Sequence, residues 1–152
     1  MTNNNQDFTT SILVEQTPQE VFDAINNVRG WWSGEIEGNP EKLGAEFTYR
    51  YSDIHRSTQK VTEFVPAEKI VWHVTDGYLS FVDKKDEWKG TDIIFEINEK
   101  DGKTELVFTH RGLVPLIACY LNCSDGWETL VQKNLRNFII TAKDQVDVFA
   151  GK

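Results

Sequence analysis

The 152-residue sequence sets 16 Lys and Arg against 24 Asp and Glu, and its formal charge of −8 repels phosphate backbones and anionic lipid, which excludes nucleic acid as an expected partner. A hydrophobic content of 39%, with five Trp and nine Phe, fits one globular domain over residues 1–152 with an aromatic core. No run reaches the roughly 18 apolar residues of a membrane span, and residues 1–10 lack the basic start and apolar stretch of a signal peptide, so the expected compartment is the cytoplasm.

Residues 1–7 are polar and are expected to form a disordered tail, whereas Phe8 to Glu15 alternates toward Ile12, Leu13 and Val14 as a first strand would. A helix signal follows. Thr17 is placed to cap, Pro18 to take the first helical position and Glu20 to complete T-x-x-E, with Val21, Phe22, Ala24 and Ile25 as the apolar face through about Val28. Arg29-Gly30-Trp31-Trp32 should break or kink it, and Ser33 to Leu43 reads as turn-rich.

Glu46 to Ser52 alternates Phe47, Tyr49 and Tyr51 with polar residues, as a half-buried antiparallel strand does. Arg56 to Val65 and Lys69 to Thr75 read as two more strands around a Pro66-Ala67-Glu68 turn, the second with Ile70, Trp72 and Val74 on one face. Asp76 to Gly90, containing DKKDEWKG, reads as a solvated loop. Thr91 to Asn98 and Thr104 to His110 form a hairpin around Asp101-Gly102, with inward sets Ile93, Phe95, Ile97 and Leu106, Phe108, His110. After an apolar segment Leu116 to Leu121, Ser124-Asp125 is expected to cap a last helix. Its stripe is Trp127, Leu130, Val131, Leu135, Phe138, Ile139 and Ala142.

The order of strand, helix with a Trp-Trp extension, five further strands and a long amphipathic helix resembles the helix-grip (START-like) fold. Thr17-Pro-Gln-Glu-Val-Phe-Asp-Ala-Ile resembles the first-helix signature of that superfamily, Trp31-Trp32 its second, and Val61 to Val71 its strand-turn-strand. Gly90 to Gly112, with Thr109-His110-Arg111-Gly112 and then Gly126-Trp127, looks like the C-terminal half of the Hsp90-ATPase-activator-homologue family. The resemblance implies an α+β fold in which a curved antiparallel sheet of about six strands wraps the C-terminal helix, with two short helices after the first strand. It also implies a pocket between sheet and helix.

The candidate lining of such a pocket is Tyr49, Tyr51, Trp72, Phe95, Phe108, His110, Trp127, Leu130 and Phe138; the competing reading is that these side chains fill a solid core. His110 is the sole catalytic candidate, because its parity with Leu106 and Phe108 points it inward, where it could act as an acid-base group or simply satisfy a neighbouring polar atom. His55 lies beside a turn and His73 has outward parity. Trp31, Trp32 and Trp88 would cap the core or rim a pocket. Arg50, Arg56 and Arg111 could pair an acidic head group or sit as surface charges.

Cys119 and Cys123 match neither a C-x-x-C redox pair nor a zinc set, and no ligand spacing joins His55, His73 and His110, so neither metal nor cofactor is expected. No phosphate-cradling glycine loop or serine triad is visible. The leading expectation is a non-enzymatic protein binding a small apolar or amphipathic ligand. The alternatives are a polyketide-cyclase or dehydratase-like enzyme using His110, and an interaction module for an Hsp90-type chaperone, as the resemblance implies.

Overall fold

The computed structural model describes residues 7–32, 35–38, 40–51, 54–80, 85–114 and 120–141. The expected tail over residues 1–6, the apolar segment over 115–119 with Cys119, and Ala142 lie outside them. Strand β1 (Phe8–Val14) leads into helix α1 (Pro18–Asn26), which starts where the capping chemistry puts it. The Glu20 amide donates to Thr17 Oγ1 at 3.1 Å and the Thr17 amide donates to Glu20 Oε1 at 2.9 Å, so two orphan N–H groups are satisfied at once. A single 3-10 turn, Val28–Gly30, stands in place of the second short helix. It delivers Trp31 and Trp32 into the core, and the Trp31 indole N–H donates back to the Ile25 carbonyl at 3.2 Å.

Seven strands, not six, form one antiparallel sheet in the order β1-β7-β6-β5-β4-β3-β2. The additional strand, β2 (Glu35–Gly38), lies within the stretch read as turns; four residues with Ile36 as their single large apolar side chain offer no alternation to detect. The others are β3 (Glu46–Tyr51), β4 (His55–Val65), β5 (Lys69–Leu79), β6 (Asp92–Lys100) and β7 (Lys103–Arg111). Strand β5 runs four residues past Thr75 into the segment expected to be a loop. An irregularity between Thr58 and Gln59 shifts its register there, pairing Thr58 with Asp76 and Gln59 with Val74, and so disguises the alternation that continues through buried Gly77 and Leu79. The Asp101-Gly102 turn joins β6 to β7 with φ of 53° and 79°, as a two-residue hairpin of this hand requires.

The last helix includes Tyr120–Thr129, so Ser124 and Asp125 sit inside it rather than at its cap. It runs as α2 (Tyr120–Thr129), a π-helical segment (Leu130–Leu135) and α3 (Arg136–Thr141). Trp127, Leu130, Val131, Leu135, Phe138 and Ile139 are all buried, in one core with the inward residues of the sheet, so the sheet grips this helix on its concave face. Buried Asn134, in the π segment, donates from Nδ2 to the Trp31 carbonyl at 3.1 Å and ties helix to Trp pair. Phe138 packs against Gly30 so closely that a Cβ there would lie 2.5 Å from the ring.

Side chains cover the two outer strands. One guanidinium nitrogen of Arg29 donates to the carbonyls of Ile36 and Gly38 on β2, at 3.0 and 3.1 Å. On β1, Gln132 Nε2 donates to Thr10 Oγ1 at 2.7 Å and to the Ser11 carbonyl at 2.8 Å.

Candidate functional site

Between the C-terminal helix and the β3–β4 end of the sheet lies a cavity of about 200 Å³. Each side of it comes from a different part of the chain. Tyr49 and Tyr51 project from β3, Ile54 and His55 from the turn into β4, Trp32 from the segment after the 3-10 turn, and Trp88 from the loop before β6; Cys123, Gly126, Trp127 and Leu130 close it from the helix. The strand residues are here because alternation on a pleated strand sends every second side chain to the concave face.

The walls are flat because the rings stack. Trp32 lies parallel to Tyr49 at 4.2 Å between centroids, and Trp88 lies parallel to Trp127 at 5.7 Å. The Trp88 indole N–H donates to Cys123 Sγ at 3.3 Å, fixing the loop tryptophan against the helix. Burial is the main force that raises the Tyr49 phenol above its ordinary range, Tyr51 adding to it and a hydrogen bond with Trp32 opposing it, so Tyr49 stays a neutral hydroxyl.

Of the residues expected to line a pocket, Tyr49, Tyr51, Trp127 and Leu130 stand on this wall. Trp72, Phe95 and Phe108 share the concave face but lie one layer deeper, fully buried. Other rings cover them: Trp31 meets Phe95 edge-on at 6.1 Å, Trp32 stacks over Trp72 at 6.2 Å, and Trp127 lies on Phe108 at 4.6 Å. Phe138 is in the core against Gly30, away from the cavity. Trp32 and Trp88, for which the sequence leaves open capping the core or rimming a pocket, stand on this wall, and so does His55, which the sequence places only beside a turn. The signal for His55 was present in β4, where His55, Ser57, Gln59 and Val61 share one parity.

His110 points inward as its parity requires, yet both ring nitrogens are engaged. The Trp127 indole N–H donates to His110 Nδ1 at 3.0 Å, so Nδ1 is an acceptor and the ring proton sits on Nε2. Nε2 then donates to Thr91 Oγ1 at 2.7 Å, and the Thr91 hydroxyl donates to the Trp88 carbonyl at 2.6 Å. This chain of bonds locks the helix to the loop before β6. Burial, helped by His55 and opposed by Asp92, lowers the His110 pKa to about 3, so the imidazole is neutral at pH 7. Its fully buried ring is off the cavity wall, with no nitrogen left over for proton transfer to a ligand.

Gly112 supports this arrangement from behind: at φ 102° it adopts a conformation that other residues resist, and a Cβ would lie 2.6 Å from Thr91 Cγ2. Gly112→Ala is therefore expected to cost on the order of 1–3 kcal/mol by displacing Thr91. A lowered urea midpoint with unchanged m would show it.

Of the remaining polar candidates, Arg50 stands beside Glu35, Glu37 and Thr48, off the cavity wall, and the others are engaged elsewhere. Arg111 donates twice to Asp92 Oδ2, at 2.9 and 3.2 Å, and Asp92 Oδ1 meets His73 Nδ1 at 2.8 Å on the outer face. Arg56 pairs loosely with Asp76 at 3.6 Å. Among the described residues no group of three His, Cys, Asp or Glu could hold a metal ion, and no helix is long and apolar enough to cross a membrane.

Comparison with known proteins agrees with this architecture. The family described as "Activator of Hsp90 ATPase homolog 1-like protein" matches residues 15–139. The chain belongs to this family. Among solved structures it is similar to the Aha1 dimer from Colwellia psychrerythraea, with TM-score 0.73 and 19% identity over 91% of this chain and 98% of that one. It is likewise similar to protein MLL2253 from Mesorhizobium loti, with TM-score 0.71 and 15% identity over 90% and 98% of the two chains. DynU16, from the dynemicin biosynthetic locus, gives TM-score 0.67 and 15% identity over 91% of this chain and 48% of its own. At such identities the likeness is one of fold. No curated protein matches the sequence significantly.

Proposed function

We propose that this protein binds a small apolar or amphipathic molecule in the cavity between the C-terminal helix and the concave sheet. The observation that carries the reading is the cavity itself: an aromatic-walled space of about 200 Å³ between the C-terminal helix and the sheet. Membership of a family with a helix-grip fold supports it, since that fold leaves room between sheet and helix. Acid-base catalysis through His110 is disfavoured by the two hydrogen bonds that occupy its ring. An Hsp90-type partner, which the family's description suggests, would not depend on the cavity.

Gly126 offers a direct test. It lies on the helix side of the wall, and a Cβ added there meets nothing within 4 Å. Gly126→Leu fills the space while improving helix propensity by roughly 1 kcal/mol, so the variant should fold at least as well as the parent. Titration of the parent with 2-naphthol, followed by tryptophan fluorescence, should saturate at one equivalent, and Gly126→Leu should abolish the response. Equal binding by both proteins would place the ligand elsewhere.

A further inference from the structure

Resting on that reading, the geometry points to the class of ligand: we infer that the cavity takes a neutral aromatic of one or two rings bearing a hydroxyl or similar hydrogen-bonding group, held by its face against the tryptophans and by its polar atom on His55. Size comes first. A cavity of about 150 Å³ is enough for benzene, and drug-sized pockets run from roughly 300 Å³ upward, so the 200 Å³ here suits one or two rings and would hold only part of a long acyl chain.

Shape comes next. The parallel pairs Trp32–Tyr49 and Trp88–Trp127 present flat faces and indole or phenol edges, surfaces on which a planar ring gains offset or edge contacts that a flexible chain does not.

The polar anchor follows from the groups on the wall. Trp88 and Trp127 spend their indole N–H on Cys123 and His110, Trp32 bonds Tyr49, and Tyr51 already has an interaction of its own. His55 stands apart: its Nε2 is buried and has no hydrogen-bond partner, and its ring is held edge-on between Trp88 at 4.4 Å and Tyr49 at 5.1 Å. An orphaned buried nitrogen is costly, and a ligand group that bonds the ring relieves that cost. Burial keeps His55 neutral, its pKa lowered to about 4, so the imidazole can donate or accept but supplies no charge. With no Lys or Arg among the described residues of the wall, a carboxylate ligand would be buried there without a counter-charge.

The experiment is a ligand series on the intact protein by calorimetry and competition: 2-naphthol, naphthalene, 2-naphthoate and laurate, each repeated with His55→Leu and His55→Gln. 2-Naphthol should bind the parent roughly five- to tenfold more tightly than naphthalene, the worth of one hydrogen bond. 2-Naphthoate and laurate should bind more weakly than either. His55→Leu should erase the difference between 2-naphthol and naphthalene without weakening naphthalene, and His55→Gln should restore part of it. Equal affinity of the parent for 2-naphthol and naphthalene, or tighter binding of laurate, overturns the inference while leaving the cavity reading intact. Failure of every compound, or binding undisturbed by Gly126→Leu, overturns both.

Discussion

Trp127→Ala is expected to destabilise the protein by about 3–5 kcal/mol, the range for deleting a large buried aromatic. The indole is 2% exposed and touches four other rings: Phe108 at 4.6 Å, Trp32 at 5.1 Å, Trp88 at 5.7 Å and His110 at 6.0 Å between centroids. Its removal merges the cavity beside it with a new void, which the stacked neighbours cannot fill without leaving their own contacts. A second loss is chemical, because His110 Nδ1 loses its only donor. Trp127→Phe separates the two effects: most of the volume is kept and the N–H is gone, so about 1–3 kcal/mol should remain as the cost of the orphaned nitrogen. Equilibrium urea unfolding measures both, and a Trp127→Phe, His110→Leu double mutant should be less destabilised than the sum of the singles. If Trp127→Ala costs under about 1 kcal/mol, the helix is not anchored through this residue.

Stability should also fall steeply with acidification below about pH 6.5, through the two buried imidazoles. Folded His110 has its pKa lowered to about 3 and His55 to about 4, from an ordinary value of 6.5. Between 6.5 and those values the unfolded chain takes up protons that the folded chain refuses, so protonation favours unfolding. The stability is fully present above pH 6.5, is lost as pH falls toward 4 and then 3, and levels off below. Each pKa unit is worth about 1.4 kcal/mol, which puts the total on the order of several kcal/mol. His110→Gln removes the larger share of the slope even if it lowers stability at pH 7, so the readout is the pH dependence of the urea midpoint rather than its value. An unchanged slope would show that His110 titrates alike in both states.

The parts of this molecule that were legible in the sequence are those written in local periodicity or cap chemistry. T-x-x-E at Thr17, Asp-Gly at 101–102 and the inward sets of β3, β6 and β7 each depend on near neighbours alone. Depth and interruption are different. Parity places Trp72, Phe95 and Phe108 on the concave face, but Trp31 and Trp32 over the first two and Trp127 over the third, all from separate segments, decide that they are core and not wall. The stripe from Trp127 to Ile139 indicates a helix yet not its π segment, because the change of hydrogen-bond partner over Leu130–Leu135 leaves the apolar faces nearly in place. His55 escaped notice because its parity partners Ser57 and Gln59 are polar. An inward row of polar residues looks like an outward one until the strand is seen in the sheet.

The covered edges bear on how copies of this chain can meet. Open sheet edges recruit further strands, and that is how many β-rich proteins grow into aggregates. Here an incoming strand would have to displace the Arg29 guanidinium from the Ile36 and Gly38 carbonyls on one side, or the Gln132 amide from Ser11 on the other. Either exchange gives up bonds already made before new ones form. Edge-to-edge extension of the sheet by further copies is thereby made costlier on both sides.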